Sequence, residues 1–296
     1  MSATPPAAPA APAAVPPPPP TAWEEALGYR LYLLLSPSIK TQSPQTPPDS
    51  LAPFEILSVP RPRGRGPLAA TWFPAAGTAR GAVLLLPPWL PWGRSYFHRR
   101  GRIGALRAAG YHALALDYGG FGGSRREGRL DEDVEAALDF LAGRNPGLPL
   151  HVWGVSAGGN WCHLVLSRRE GVSGAMFEDV SPHLFEWTWR QAPASRPGLI
   201  FFRTFLRRAY RFFDLRRHAP MLKVAAAAYV SGALDPGVLP DETRELARLA
   251  GAECLIVPSA KHLASIKIAE GEVIGLALAT FRKAEERGAR KADGSP

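Results

Sequence analysis

Cysteine is scarce in this chain: there are two in 296 residues, Cys162 and Cys254. Two isolated thiols make no disulfide framework and match no metal-ligand spacing, so both read as small core residues. Lysine is nearly as rare, 6 against 29 arginines, in a chain whose formal net charge is +9. No nucleic-acid-binding motif accompanies that charge, so a nucleic-acid partner is not expected. Long apolar runs are missing too. Leu31–Leu35 is far too short to span a bilayer, and no basic segment leads into a long apolar run at the start, so no secretory signal is expected. These absences point to a soluble, cytoplasmic protein.

What is present is uneven along the chain. The first twenty residues are almost entirely Ala and Pro, a composition that buries no apolar surface and favours disorder or polyproline geometry. Residues 1–50 therefore read as tail and linker, with a short helix at Trp23–Leu35 and a Pro/Ser/Gln stretch at Thr41–Ser50. Order is expected from about Pro53, a domain is expected over 51–288, and a flexible end over 289–296. A hydrophobic content of 46% supports one sizeable core.

Within the domain, Phe54–Val59 and Leu68–Phe73 read as antiparallel strands joined by an Arg/Gly/Pro turn. Gly81–Leu86 is a continuous apolar run, the mark of a strand covered on both faces. Strands and helices alternate from there. Helices are expected at Tyr96–Ala109, Asp131–Leu141, Asn160–Arg169, Asp241–Leu249 and Leu263–Lys283. Strands are expected at Tyr111–Leu116, Leu148–Trp153, Val172–Phe177, Val224–Val230 and Cys254–Val257. Alternation of this kind means βαβ units and a mostly parallel sheet flanked by helices, an α/β fold.

The segment with most chemical content is Gly154-Val155-Ser156-Ala157-Gly158. G-x-S-x-G between a strand and a helix forms a sharp elbow that thrusts the serine hydroxyl out of the backbone, and the glycines permit the close packing that the turn needs. Catalytic groups in open parallel sheets gather at the carboxyl ends of strands. Four expected strand ends carry suitable residues: Pro87-Pro88-Trp89-Leu90, Ser156, the loop reaching Asp235, and Pro258-Ser259-Ala260-Lys261-His262. A serine, an acid and a histidine thus arrive in that order. Glu178 and Asp179, at the end of another strand, are alternative acids, and Asp241 reads as a helix N-cap.

These features, with the D-x-x-G-x-G-x-S run Asp117–Ser124, resemble the α/β-hydrolase superfamily over about Pro53–Lys283. The resemblance implies an N-terminal antiparallel hairpin and a small helical cap inserted after the sixth strand, at 181–222. It implies a serine hydrolase cleaving a carboxylic ester through an acyl-enzyme, with Ser156 as nucleophile, His262 as base and Asp235 as the acid that orients it. Trp89 and Ala157 would supply oxyanion-hole amides. Pro87-Pro88 stands where many relatives carry His-Gly, and proline offers no N–H.

No cofactor or metal is called for, and the partner is a small-molecule ester or acyl substrate. Alternatives are a thioesterase or acyltransferase, and a non-catalytic binding protein on the same fold. The cap segment holds Trp187, Trp189, six phenylalanines and eight arginines. A helix at Leu199–Leu215 would place Phe202, Leu206, Ala209 and Phe213 on one face, with Arg203, Arg207 and Arg211 on another. Such a cap could pack its rings on the core, or make weak contact with an anionic membrane surface.

Overall fold

The computed structural model describes residues 21–35, 46–191, 197, 200, 207 and 210–292. Its strands are β1 (Glu55–Val59), β2 (Leu68–Phe73), β3 (Gly81–Leu86), β4 (Tyr111–Leu116), β5 (Leu150–Val155), β6 (Gly174–Glu178), β7 (Ala226–Gly232) and β8 (Glu253–Val257). They form one eight-stranded sheet in the order β1-β2-β4-β3-β5-β6-β7-β8. The pairs β1–β2 and β2–β4 are antiparallel. Every pairing from β4 through β3 to β8 is parallel.

The chain leaves β3 for β4 on one side, then returns to place β5 on the other. That reversal opens a crevice at the carboxyl ends of β3 and β5, where ligands bind in open sheets of this kind. Both strands are buried along their whole length, as helices on both faces require. Leu84, Leu86 and Val152 face a core shared with the helices Leu130–Arg144 and Ala157–Leu166. Val83, Leu85 and Trp153 face the other core, shared with Arg102–Ala108 and the long helix Glu270–Ala292. Each such apolar side chain contributes on the order of 1.5–3 kcal/mol by leaving water.

The loop Asp117–Ser124 is structural. The Asp117 carboxylate accepts from Arg94 N at 2.6 Å and pairs with the Arg94 guanidinium. Ser124 Oγ donates to Asp117 O at 2.6 Å and accepts from Ala69 N at 2.8 Å, tying the loop to β2.

Several expectations are corrected. The helix expected at Tyr96–Ala109 is a 3-10 turn at Gly93–His98 followed by the helix Arg102–Ala108, broken where Arg100 and Gly101 both take left-handed backbone. The helix expected from Leu263 starts at Ser265, stops at Ile268 and resumes at Glu270. Asp241 does not cap its helix: the N-cap is Leu239, whose N–H is received by Glu242 at 3.1 Å, and Asp241 faces solvent beside Arg244. The cap helix expected at Leu199–Leu215 does not run unbroken to Leu215. Tyr210–Phe213 is a 3-10 turn, and Asp214 is extended and caps Leu215–His218. Phe202, Arg203, Leu206 and Ala209 lie outside the described residues, as do residues 1–20 of the tail, 36–45 and 293–296.

The N-terminal helix Ala22–Leu35 packs on the domain rather than standing ahead of it. Tyr29 is buried, its Oη accepts from Leu130 N at 2.6 Å, and its ring meets Trp161 at 5.8 Å and Phe212 at 6.4 Å. Among the described residues no helix is long and apolar enough to cross a membrane.

Candidate active site

Ser156 has φ 48° and ψ −118°, between the end of β5 and the helix Ala157–Leu166. A side-chain-bearing residue tolerates that conformation only when its surroundings over-determine it, and here they do. Ser156 N donates to Glu178 O at 2.7 Å, and Ser156 O accepts from Asn160 N at 3.0 Å. A β-carbon on Gly158 would lie 2.4 Å from Leu86 O and 2.6 Å from Pro87 O, and one on Gly159 would lie 2.3 Å from Val180 Cγ1. The elbow closes because these positions carry hydrogen.

Three residues expected from sequence to act together do lie together. Ser156 Oγ is 3.1 Å from His262 Nε2, and His262 Nδ1 is 2.6 Å from Asp235 Oδ2. Because Nδ1 faces a carboxylate it carries the ring proton, which leaves Nε2 as the acceptor for the serine hydroxyl. The loop after β7 prepares the acid. Asp235 Oδ1 accepts from Gly237 N at 2.8 Å and Val238 N at 2.9 Å, so both oxygens are engaged in a buried place.

His262 follows β8 and keeps a fifth of its side chain exposed. Burial pulls its pKa down, but the Asp235 hydrogen bond and charge, with Asp179 and Glu178 behind them, outweigh burial and raise it.

Glu178, one alternative acid, is paired elsewhere: both its oxygens lie 2.7 Å from Arg102 Nη2, and Trp153 Nε1 donates to it at 3.2 Å. Asp179, the other, makes no hydrogen bond to the imidazole. Its Oδ2 accepts from Leu263 N at 2.7 Å. Asp179, Asp235 and His262 are also the three described side chains whose potential ligand atoms converge within 4.8 Å. Within this cluster His262 Nδ1 and Asp235 Oδ2 already satisfy each other.

Trp89 follows β3, half-buried, with its ring 4.8 Å from Phe121. Its loop is held by Leu90 N donating to Pro88 O at 2.8 Å and by Tyr118 Oη donating to Pro87 O at 2.9 Å. The close approach of Gly158 to Leu86 and Pro87 brings the Ala157 end of the elbow helix against the Trp89 loop.

The cap contributes a residue that periodicity could not single out. Trp187, on the helix Leu184–Gln191, stands with its ring 6.1 Å from the His262 ring. The same helix is fastened to the acid loop, Arg190 donating to Gly237 O at 3.0 Å and to both Glu242 oxygens at 2.7 Å. Other described arginines of the segment also face carboxylates: Arg207 with Glu186, Arg211 and Arg217 with Glu24, and Arg216 with Asp214. Phe212 and Phe213 are buried, Phe213 against Trp161 at 4.4 Å.

Residues 99–210 match the family described as serine aminopeptidase, S33. No curated protein matches the chain in sequence. An esterase of Pyrococcus furiosus superposes with a TM-score of 0.69 at 16% identity, over 84% of this chain and 98% of that one. A highly thermostable carboxyl esterase from Bacillus coagulans, in complex with glycerol, superposes with 0.60 at 16% identity, over 77% of this chain and 98% of that one. A puromycin-hydrolyzing peptidase from Mycobacterium tuberculosis superposes with 0.56 at 21% identity, over 76% of this chain and 39% of the other. At such identities the likeness speaks to architecture alone: this chain has the fold of the α/β-hydrolases.

Proposed function

We propose that this protein is a serine hydrolase that cleaves a small-molecule carboxylic ester through an acyl-enzyme. The observation that carries the reading is the pair of contacts at His262, 3.1 Å to Ser156 Oγ and 2.6 Å to Asp235 Oδ2. These fall within the reach that proton transfer between nucleophile, base and orienting acid requires.

In this reading Ser156 attacks the ester carbonyl while its proton passes to His262 Nε2. Asp235 accepts the Nδ1–H bond and stabilises the imidazolium without taking its proton. His262 then returns the proton to the departing alcohol, and a water, deprotonated in the same way, releases the acid. The developing oxyanion is received by the Ala157 and Trp89 amides, contacts worth several kcal/mol each in a dry site. Neither proline is asked to donate, so Pro87-Pro88 leaves that pair of donors intact.

Amide cleavage is the second reading, favoured by the match to a serine aminopeptidase family. The test is fluorophosphonate labelling of the wild type beside Ser156→Ala, followed by p-nitrophenyl esters of rising chain length and matched p-nitroanilides. Ser156-dependent labelling with ester turnover supports the main reading. Anilide turnover without ester preference selects the second. Absence of Ser156-dependent labelling overturns both.

A further inference from the structure

Asp179 has a place that the mechanism above leaves unused. It is the first residue after β6, fully buried, with its N–H bound to Val230 O at 2.8 Å. It takes left-handed backbone, φ 52°. So does Leu263, φ 61°, the residue after His262. The two are joined by Leu263 N donating to Asp179 Oδ2 at 2.7 Å. Left-handed backbone at a residue with a side chain is strained, and here two such residues are bonded to each other.

The other carboxyl oxygen, Oδ1, is buried and has no hydrogen-bond partner. A buried polar oxygen left unmatched is itself destabilising. Yet Asp179, Asp235 and His262 bring polar atoms within 4.8 Å of one another. Of two acids beside one imidazole, Asp235 is bonded to it and the other is a small movement away.

We propose that Asp179 is a second carboxyl for His262, positioning the imidazole through the Leu263 amide while Asp235 is present and accepting the Nδ1–H bond itself when Asp235 is lost. The proposal rests on the serine-hydrolase reading and deepens it. No bond changes hands in the substitution. The serine proton still goes to Nε2 and on to the leaving group, and the second carboxylate only accepts from Nδ1–H.

The charges around Asp179 explain why it stands back while Asp235 is in place. Burial, with Glu178 and Asp235 adding negative charge, pushes its carboxyl up to about 8 against the pull of His262 and the Leu263 amide. Its ionised form is thereby disfavoured while Asp235 carries charge. Arg102 pairs with Glu178 from the helix Arg102–Ala108. Removing Asp235 removes one of the anions that keep Asp179 protonated, so ionisation becomes easier when it is needed.

The experiment compares kcat/KM on a p-nitrophenyl ester, over pH 5.5–9, for wild type, Asp235→Ala, Asp179→Asn and the double variant. Asp179→Asn is expected to cost about three-fold in the wild-type background and at least about thirty-fold in Asp235→Ala, the greater-than-additive coupling of a residue that stands in for the one removed. The acid limb of the Asp235→Ala profile is expected at or above the wild-type position, because Asp179 must then be ionised. A histidine left with no carboxylate would instead titrate lower and move the limb down.

Equal cost of Asp179→Asn in both backgrounds overturns the proposal, as does an Asp235→Ala profile that moves down. A folding defect shows as a lowered unfolding midpoint with equal loss in both backgrounds. If Asp179→Asn does not fold, the Asp235→Ala profile alone decides. Wild type without Ser156-dependent fluorophosphonate labelling overturns the serine-hydrolase reading and this proposal with it; labelling without coupling overturns this proposal alone.

Discussion

Gly154 and Gly159 meet backbone to backbone across the elbow: a β-carbon placed on Gly154 would stand 2.5 Å from Gly159 Cα and 2.8 Å from its nitrogen. The contact holds the end of β5 against the first turn of the following helix, which keeps Ser156 in its strained conformation. Gly154→Ala forces backbone, not a flexible side chain, to move. Overpacking of this kind costs about 1–3 kcal/mol, and the displacement falls on Ser156. The expected outcome is a lowered unfolding midpoint with loss of fluorophosphonate labelling at least ten-fold beyond the fraction unfolded. Labelling at the wild-type rate would show that the elbow tolerates the shift.

Arg190 clasps Glu242 with two 2.7 Å contacts and reaches Gly237 O at 3.0 Å, so the helix carrying Trp187 is held to the loop carrying Asp235. Arg190→Ala is expected to raise KM for aromatic or long-chain esters about three- to ten-fold, with kcat within two-fold. A contact of about 1.4 kcal/mol corresponds to the upper figure. Arg190→Lys should recover little of this, because a point charge cannot reproduce the planar fork. Steady-state kinetics on both variants checks the split. A fall in kcat with KM unchanged would place Arg190's effect on His262 rather than on substrate.

The pH dependence has a definite sign. The proposed mechanism needs His262 neutral at Nε2, and its pKa is raised above the ordinary imidazole value of about 6.5. The acid limb of kcat/KM is therefore expected above about pH 6.5, with activity falling as pH drops through it. The same shift has the opposite consequence for folding. A histidine whose folded pKa is raised contributes stability that is complete below its unfolded pKa and is lost as pH rises through the folded one. Ester kinetics beside unfolding midpoints between pH 5.5 and 8.5 measures both, and an acid limb below about 6 would contradict the assigned environment.

How far these residues were readable in sequence depended on whether the signal was local. The elbow is local, and so are the apolar run of β3 and the strand-helix alternation, which is why the sheet and the order Ser156, Asp235, His262 could be read directly. Trp187 was visible only as one aromatic among several, because its place over His262 depends on how the cap folds back. Tyr29 lies ahead of a linker stretch, and its burial depends on Trp161 and Phe212, far away in sequence. The helix ends slipped for a similar reason. Arg100 and Leu263 take left-handed backbone that tertiary contacts impose and no propensity announces.

Arg102 is buried completely beneath the site, its guanidinium within 5.0–5.8 Å of the rings of Tyr96, Phe97 and Trp153, and its Nη2 on Glu178. Glu178 in turn receives the Ser156 N–H on its backbone oxygen, so the ion pair lies directly behind Ser156. Breaking a buried pair from one side leaves an uncompensated charge, which costs about 3–5 kcal/mol, whereas replacing both partners by apolar groups is often neutral. Arg102→Met is therefore expected to destabilise by about that much and to reduce Ser156 labelling. Arg102→Met with Glu178→Leu should recover most of the stability. Denaturant unfolding of the two variants decides between charge and shape: if the double variant is no more stable than Arg102→Met alone, the packing of the guanidinium among its three rings is what holds this floor together, and the charge is incidental.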